Sequence, residues 1–123
     1  MLSENELWER VRGLSGRTVY TIERQRPNRI SGVTDESIAI ADRTTKPTRE
    51  DIFQVYREVW QRGEITGEDL YGDQSILGHP YARKTGRIIV AVLASAVPEE
   101  IQGVRRSKTQ RLSGIRLRQN LIK

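Results

Sequence analysis

Apolar positions along the chain fall into blocks with different periods. In "SENELWERVRG", Leu7, Trp8, Val11 and Leu14 recur at helical spacing. Ser3 with Glu6 three residues later forms a potential capping box, so a short first helix is expected to end at Gly13 and Gly16. From Arg17 the pattern changes to the β-branched and aromatic run "RTVYTIERQR". Alternation there puts Tyr20, Ile22, Arg24 and Arg26 on one strand face, with a tight turn at "RPNR" centred on Pro27 and Asn28. "RISGV" then pairs back and "TDES" turns into "SIAIA", giving a small antiparallel meander.

The second half returns to helical spacing. Thr48, followed by Glu50 and Asp51, has the chemistry of a helix start, and Ile52, Val55, Tyr56, Val59 and Trp60 form one apolar stripe up to Gly63. "GEITGEDLYGD" predicts an extended step and a short helical turn ending at Leu70, and "QSILGHPYA" reads as a connection. The uncharged run Ile88 to Val97 sits behind Arg83, Lys84 and Arg87, and Pro98 closes it. The β-branched residues Ile88 to Val92 are compatible with a buried strand, while the Ala-Val-Leu-Ala-Ser-Ala continuation favours a helix. Two strands, Ile101 to Arg106 and Leu112 to Arg118, are expected around the turn "SKTQ".

These elements predict one α+β domain over residues 1–123. Residues 1–47 would supply a helix and the meander, and residues 48–123 a winged helix-turn-helix-like part with a C-terminal β-hairpin. In such a part the third helix offers its N-terminal end to the DNA major groove, and the hairpin, or wing, touches the backbone. "GRTVYTIERQRPNRISGV", "REDIFQVYREVWQRGEITGEDL" and "RIIVAVLASAVPE" together resemble a small accessory domain found beside nucleases and helicases in bacterial restriction and defence proteins. That resemblance implies a DNA-associated module, and it assigns no functional residue.

Composition narrows the chemistry. The 123 residues contain no cysteine and a single histidine, which excludes disulfides, thiolate zinc sites and multi-histidine metal sites. No metal or other cofactor is expected. The longest uncharged apolar run, Ile88 to Val97, is about half of the roughly 20 residues needed to span a bilayer. The N-terminus carries acids where a signal peptide needs an apolar core, so a cytoplasmic protein without membrane contact is expected.

The net charge of +5 is unevenly spread: residues 1–73 hold eleven Lys and Arg against fourteen Asp and Glu, whereas residues 74–123 hold ten against only Glu99 and Glu100. Such asymmetry suits a polyanionic partner, because neutralised phosphates release counterions. Three clusters are candidates for phosphate contact. The first is Arg83, Lys84, Thr85 and Arg87, with Thr85 as the expected N-cap of the long helix. The second is the acid-free wing with Arg105, Arg106, Lys108 and Arg111. The third is Arg24, Arg26 and Arg29 at the first hairpin, where guanidinium forks match phosphate and guanine edges, although Glu23 is placed to pair one of them.

Trp8, Tyr56 and Trp60 lie on apolar helix stripes and are expected in the core. His79 has no serine or acid at a recognisable triad spacing. Glu64, Glu68, Asp69 and Asp73 are expected to cap the short turn and solvate it. The sequence therefore predicts a non-catalytic module that binds double-stranded DNA, the alternative being a protein-interaction or homodimerisation domain of a larger nucleic-acid-processing or defence system.

Overall fold

A computed structural model describes residues 1–70, 75–79, 81–105 and 114–121. Helix α1, Glu4–Arg12, begins with the expected reciprocal capping box between Ser3 and Glu6. Helix α2, Arg49–Arg62, starts where Thr48 Oγ1 accepts a hydrogen bond from the Asp51 amide at 3.1 Å. It ends at Gly63, whose left-handed φ of 85° favours a residue without Cβ. The run behind Arg83 is helical: α3 spans Arg83–Ala96, so the helix reading of Ile88 to Val92 holds and the strand alternative does not.

Three strands form the antiparallel meander, β1 (Thr18–Tyr20), β2 (Pro27–Val33) and β3 (Ile38–Ile40), in that order. Its first reversal comes earlier than the Pro-Asn dipeptide suggests. Tyr20 already pairs with Pro27, so residues 21–26 make the loop. Thr21 closes that loop twice, its amide donating to Arg26 O and its Oγ1 accepting from the Arg26 amide, both at 3.0 Å. Gln25 takes a positive φ of 53°, and its side-chain amide donates to Thr21 O and Ile22 O. Pro27, with no N–H to give, becomes the first residue of β2. Arg24 and Arg26 therefore sit on a hydrogen-bonded loop and not on a strand face.

The second sheet comprises β4 (Glu64–Thr66), β5 (Ile101–Val104) and β6 (Gly114–Leu117), all antiparallel, with β6 in the middle. A 3₁₀ turn, Gly67–Leu70, lies between β4 and α3, and another, Gln119–Leu121, follows β6. The three helices and two small antiparallel sheets make the chain α+β, as expected. Arg106, Lys108 and Arg111, expected at the wing, lie outside the described residues.

One core cluster joins the three helices, the six strands and the first 3₁₀ turn. Leu7, Trp8 and Val11 of α1, Val19 and Ile30 of the meander, Val55 and Tyr56 of α2, and Ile65 and Ile115 of the second sheet are all 2 % exposed or less. Two tyrosine hubs satisfy polar atoms at its edge. Tyr56 OH donates to Glu100 Oε1 at 2.5 Å and accepts from the Leu2 amide, while Trp60 Nε1 also donates to Glu100. Tyr81 OH donates to Asp51 Oδ2 at 2.5 Å. No helix among the described residues is long and apolar enough to cross a membrane.

Sheet pairing depends on one glycine in particular. A Cβ on Gly114 would stand 2.2 Å from the Ile65 carbonyl oxygen and 2.7 Å from Thr66 Cα, both backbone atoms that cannot move without breaking the β4–β6 ladder. Gly114→Ala is expected to cost about 3 kcal/mol in urea denaturation, as overpacking against backbone does. Gly32→Ala, which meets nothing within 4 Å, serves as the near-neutral control.

Alkaline pH acts on the tyrosine hubs. Burial, reinforced by the hydrogen bond to Asp51, pushes the Tyr81 phenol up to about 12. Burial and then Glu100 push Tyr56 up as well. The unfolded phenol ionises first, near about pH 10, so this stabilisation is complete below that pH and is lost as pH rises towards the folded values. The melting temperature should therefore be insensitive to these groups near neutrality and fall above about pH 10. In Tyr81→Phe the alkaline fall should be shallower.

Candidate functional site

The three helix N-termini differ chemically. α1 and α2 carry side-chain caps and acids in their first turns, Glu4 and Glu6 in one and Glu50 and Asp51 in the other. α3 has neither: its N-cap is Ala82, no side chain caps it, and its first turn is basic. The expectation that Thr85 caps α3 is thus corrected. Ala82 is extended and the Tyr81 amide before it bonds to Leu70 O, so the helix begins three residues earlier than a Thr85 cap would start it and the Thr85 side chain is buried inside it. Placing Lys84 and Arg87 near the positive end of the helix dipole is unfavourable unless an anion joins them.

The 21–26 loop comes to this end of α3. Between them lies a pocket of about 210 Å³, with Arg24, Arg26, Arg43, Lys84 and Arg87 among its lining residues. Its acids are Glu23 and Glu68, and its apolar wall is made by Ile22, Pro27, Ile88 and Val90. None of the five basic side chains takes part in an ion pair among the described residues, and Glu23, expected to neutralise a hairpin arginine, pairs with none of them. Arg24, Arg26 and Lys84 are exposed, whereas Arg43 and Arg87 are half-buried.

Packing explains why these groups meet. Gly86 lets the 3₁₀ turn approach closely, since a Cβ there would lie 3.3 Å from both Gly67 O and Leu70 Cβ. This brings Gly67 and Glu68 to the pocket wall. On the other side Ile22 packs over Gly103, where a Cβ would come within 2.8 Å of Ile22 Cδ1, so the loop rests on β5.

Other expected site residues fall elsewhere. Arg83 is exposed at the first position of α3 and Arg29 is exposed on β2, and neither lines the pocket. Thr85 does not line it either. Arg105 is exposed just past β5. Trp8 and Tyr56 are buried and Trp60 is half-buried, as expected of core aromatics. Arg43 went unnoticed in the sequence because it follows β3 in an ordinary polar loop, and only the fold carries it to α3.

Two further polar groups have structural partners. His79 Nε2 lies 2.8 Å from Asp51 Oδ2, the same oxygen that accepts from Tyr81, so the missing acid partner of His79 comes from α2, far away in sequence. Among the described residues no serine or threonine hydroxyl bonds the imidazole, and the contacts tie the connection before α3 to the start of α2. Asp69 Oδ2 accepts from the Thr66 amide at 2.9 Å and so caps the 3₁₀ turn, as expected of the acidic cluster. No group of three His, Cys, Asp or Glu side chains among the described residues could hold a metal ion, and Asp73 lies outside them. The chain matches no protein-family model, no curated protein and no solved structure in comparison with them.

Proposed function

We propose that this domain is a non-catalytic DNA-binding module that grips the phosphate backbone. The observation that carries the reading is the convergence of Arg24, Arg26, Arg43, Lys84 and Arg87, all without ion-pair partners among the described residues, at an uncapped helix N-terminus. Five cations held this close repel one another, and a polyanion relieves that repulsion while its condensed counterions are released. The first-turn amides of α3 add donors aimed at an anion. Guanidinium groups from the loop supply two-pronged contacts to phosphate oxygens, and Lys84 supplies a point charge. Arg105, at the end of β5 on which the loop rests, extends the basic surface towards the wing.

Binding by such a surface depends steeply on salt. If about five phosphates are engaged, affinity for a short duplex should fall roughly 500-fold between about 50 and 200 mM monovalent salt. Fluorescence anisotropy measures this directly. The pair Arg24→Glu with Lys84→Glu should weaken binding to every duplex sequence alike and flatten the salt dependence, whereas Arg29→Glu should have a smaller effect. Absence of duplex binding at micromolar protein in low salt overturns the proposal.

A further inference from the structure

We infer that the pocket between the 21–26 loop and α3 receives a single unpaired nucleotide of a DNA strand, its base against the aliphatic wall and its phosphates on the cationic rim. This deepens the DNA-binding reading and rests on it. At about 210 Å³ the pocket is smaller than the range of about 300–1,000 Å³ typical for drug-sized ligands, so it suits one ring system and not a length of chain.

Its lining is more than an anion cradle needs. A phosphate is served entirely by N–H donors. Aliphatic walls offer it nothing, and carboxylates repel it. Yet Ile22 on the loop, Pro27 at the start of β2 and Ile88 and Val90 of α3 all line the pocket, and Glu23 and Glu68 line it with the cations. Each of these features matches part of a nucleotide. Flat base faces bury apolar area against aliphatic side chains. Carboxylates accept hydrogen bonds from exocyclic amino groups, as on cytosine N4, and thymine has no such group. The exposed Arg24, Arg26 and Lys84 are then left for the flanking phosphates.

A base inside the stack cannot enter a pocket of this kind. It must be unpaired already, or be extruded at a cost of a few kcal/mol that is least at a bulge or mismatch. The site therefore favours DNA that carries an unpaired amino-bearing base over fully paired DNA, and it disfavours thymine at that position.

Gly67 offers a way to narrow the pocket without removing a cation. It lines the pocket, and a Cβ there meets only Arg87 Cγ, at an ordinary 3.6 Å. The test compares anisotropy of the full chain on a paired duplex, the same duplex with one bulged cytosine, and one with a bulged thymine. The cytosine bulge should bind about tenfold tighter than the paired duplex, which is the scale of one good base contact, and the thymine bulge less so. Gly67→Val should lose the preference while keeping paired-duplex affinity and its salt dependence. Ile22→Trp, which fills the pocket from the loop, is measured alongside, so that the comparison stands if melting shows one variant unfolded.

Equal wild-type affinity for bulged and paired duplexes, with steep salt dependence intact, overturns the nucleotide pocket and leaves backbone binding standing. Displacement of the bulged duplex by inorganic phosphate as effectively as by cytidine monophosphate also overturns it, in favour of an anion-only site. Absence of binding to any of these duplexes at low salt overturns both readings.

Discussion

The rest of the molecule is arranged around the need to enclose α3. Ile88, Ile89, Val90, Ala91, Val92 and Leu93 are consecutive and all buried, and six consecutive residues of a helix point in every direction around its axis. A helix apolar on all sides has no stable solvent-facing side, and each of its large side chains gains about 1.5–3 kcal/mol from full burial. α1, α2, β1 and the second sheet all touch it. The amphipathic stripes of α1 and α2 and the inner faces of both sheets supply the missing partners. From the N-terminal half of the chain α1 and β1 pack against α3.

That enclosure determines where function can reside. Beyond Arg87 α3 exposes only Ser95 and part of Ala94, so its charged groups are all at its N-terminal end. The same covering layer then delivers the 21–26 loop to that end. The loop carries Arg24 and Arg26 outward because Thr21 and Gln25 turn the chain before Pro27. The pocket is thus a by-product of how the meander is tied to α3, and its mixed lining follows from that: apolar residues where the two elements pack, charged ones where they part.

Polar hubs keep the connections in place around this core. Tyr56 joins the N-terminus, α2 and the turn before β5 through Leu2 and Glu100, and Tyr81 joins the segment before α3 to the first turn of α2 through Asp51. Each buried hydroxyl finds partners, as groups shielded from water must if they are not to cost stability. Asp51 serves both as an acid in the first turn of α2 and as the acceptor for Tyr81 and His79.

Local physics made much of this legible in the sequence. Ser3 with Glu6, Thr48 with Asp51, and Gly63 act through neighbours three or four residues away, and the helices they delimit could be read directly. The apolar stripes identified the core aromatics, and α3 was recognisable as buried because no alternation of polar residues interrupts it. Long-range packing decided the remainder. The Thr21–Arg26 closure displaced the first turn from Pro27 and Asn28, and the bond from Tyr81 to Leu70 moved the start of α3 away from Thr85. The pairing of His79 with Asp51 and the arrival of Arg43 beside Lys84 join residues with no spacing rule between them. Sequence determined the capped helices and the buried stretches, because those preferences are set by near neighbours and period. Only the tertiary structure decided which charges share a pocket, because that depends on how separate elements close around one buried helix.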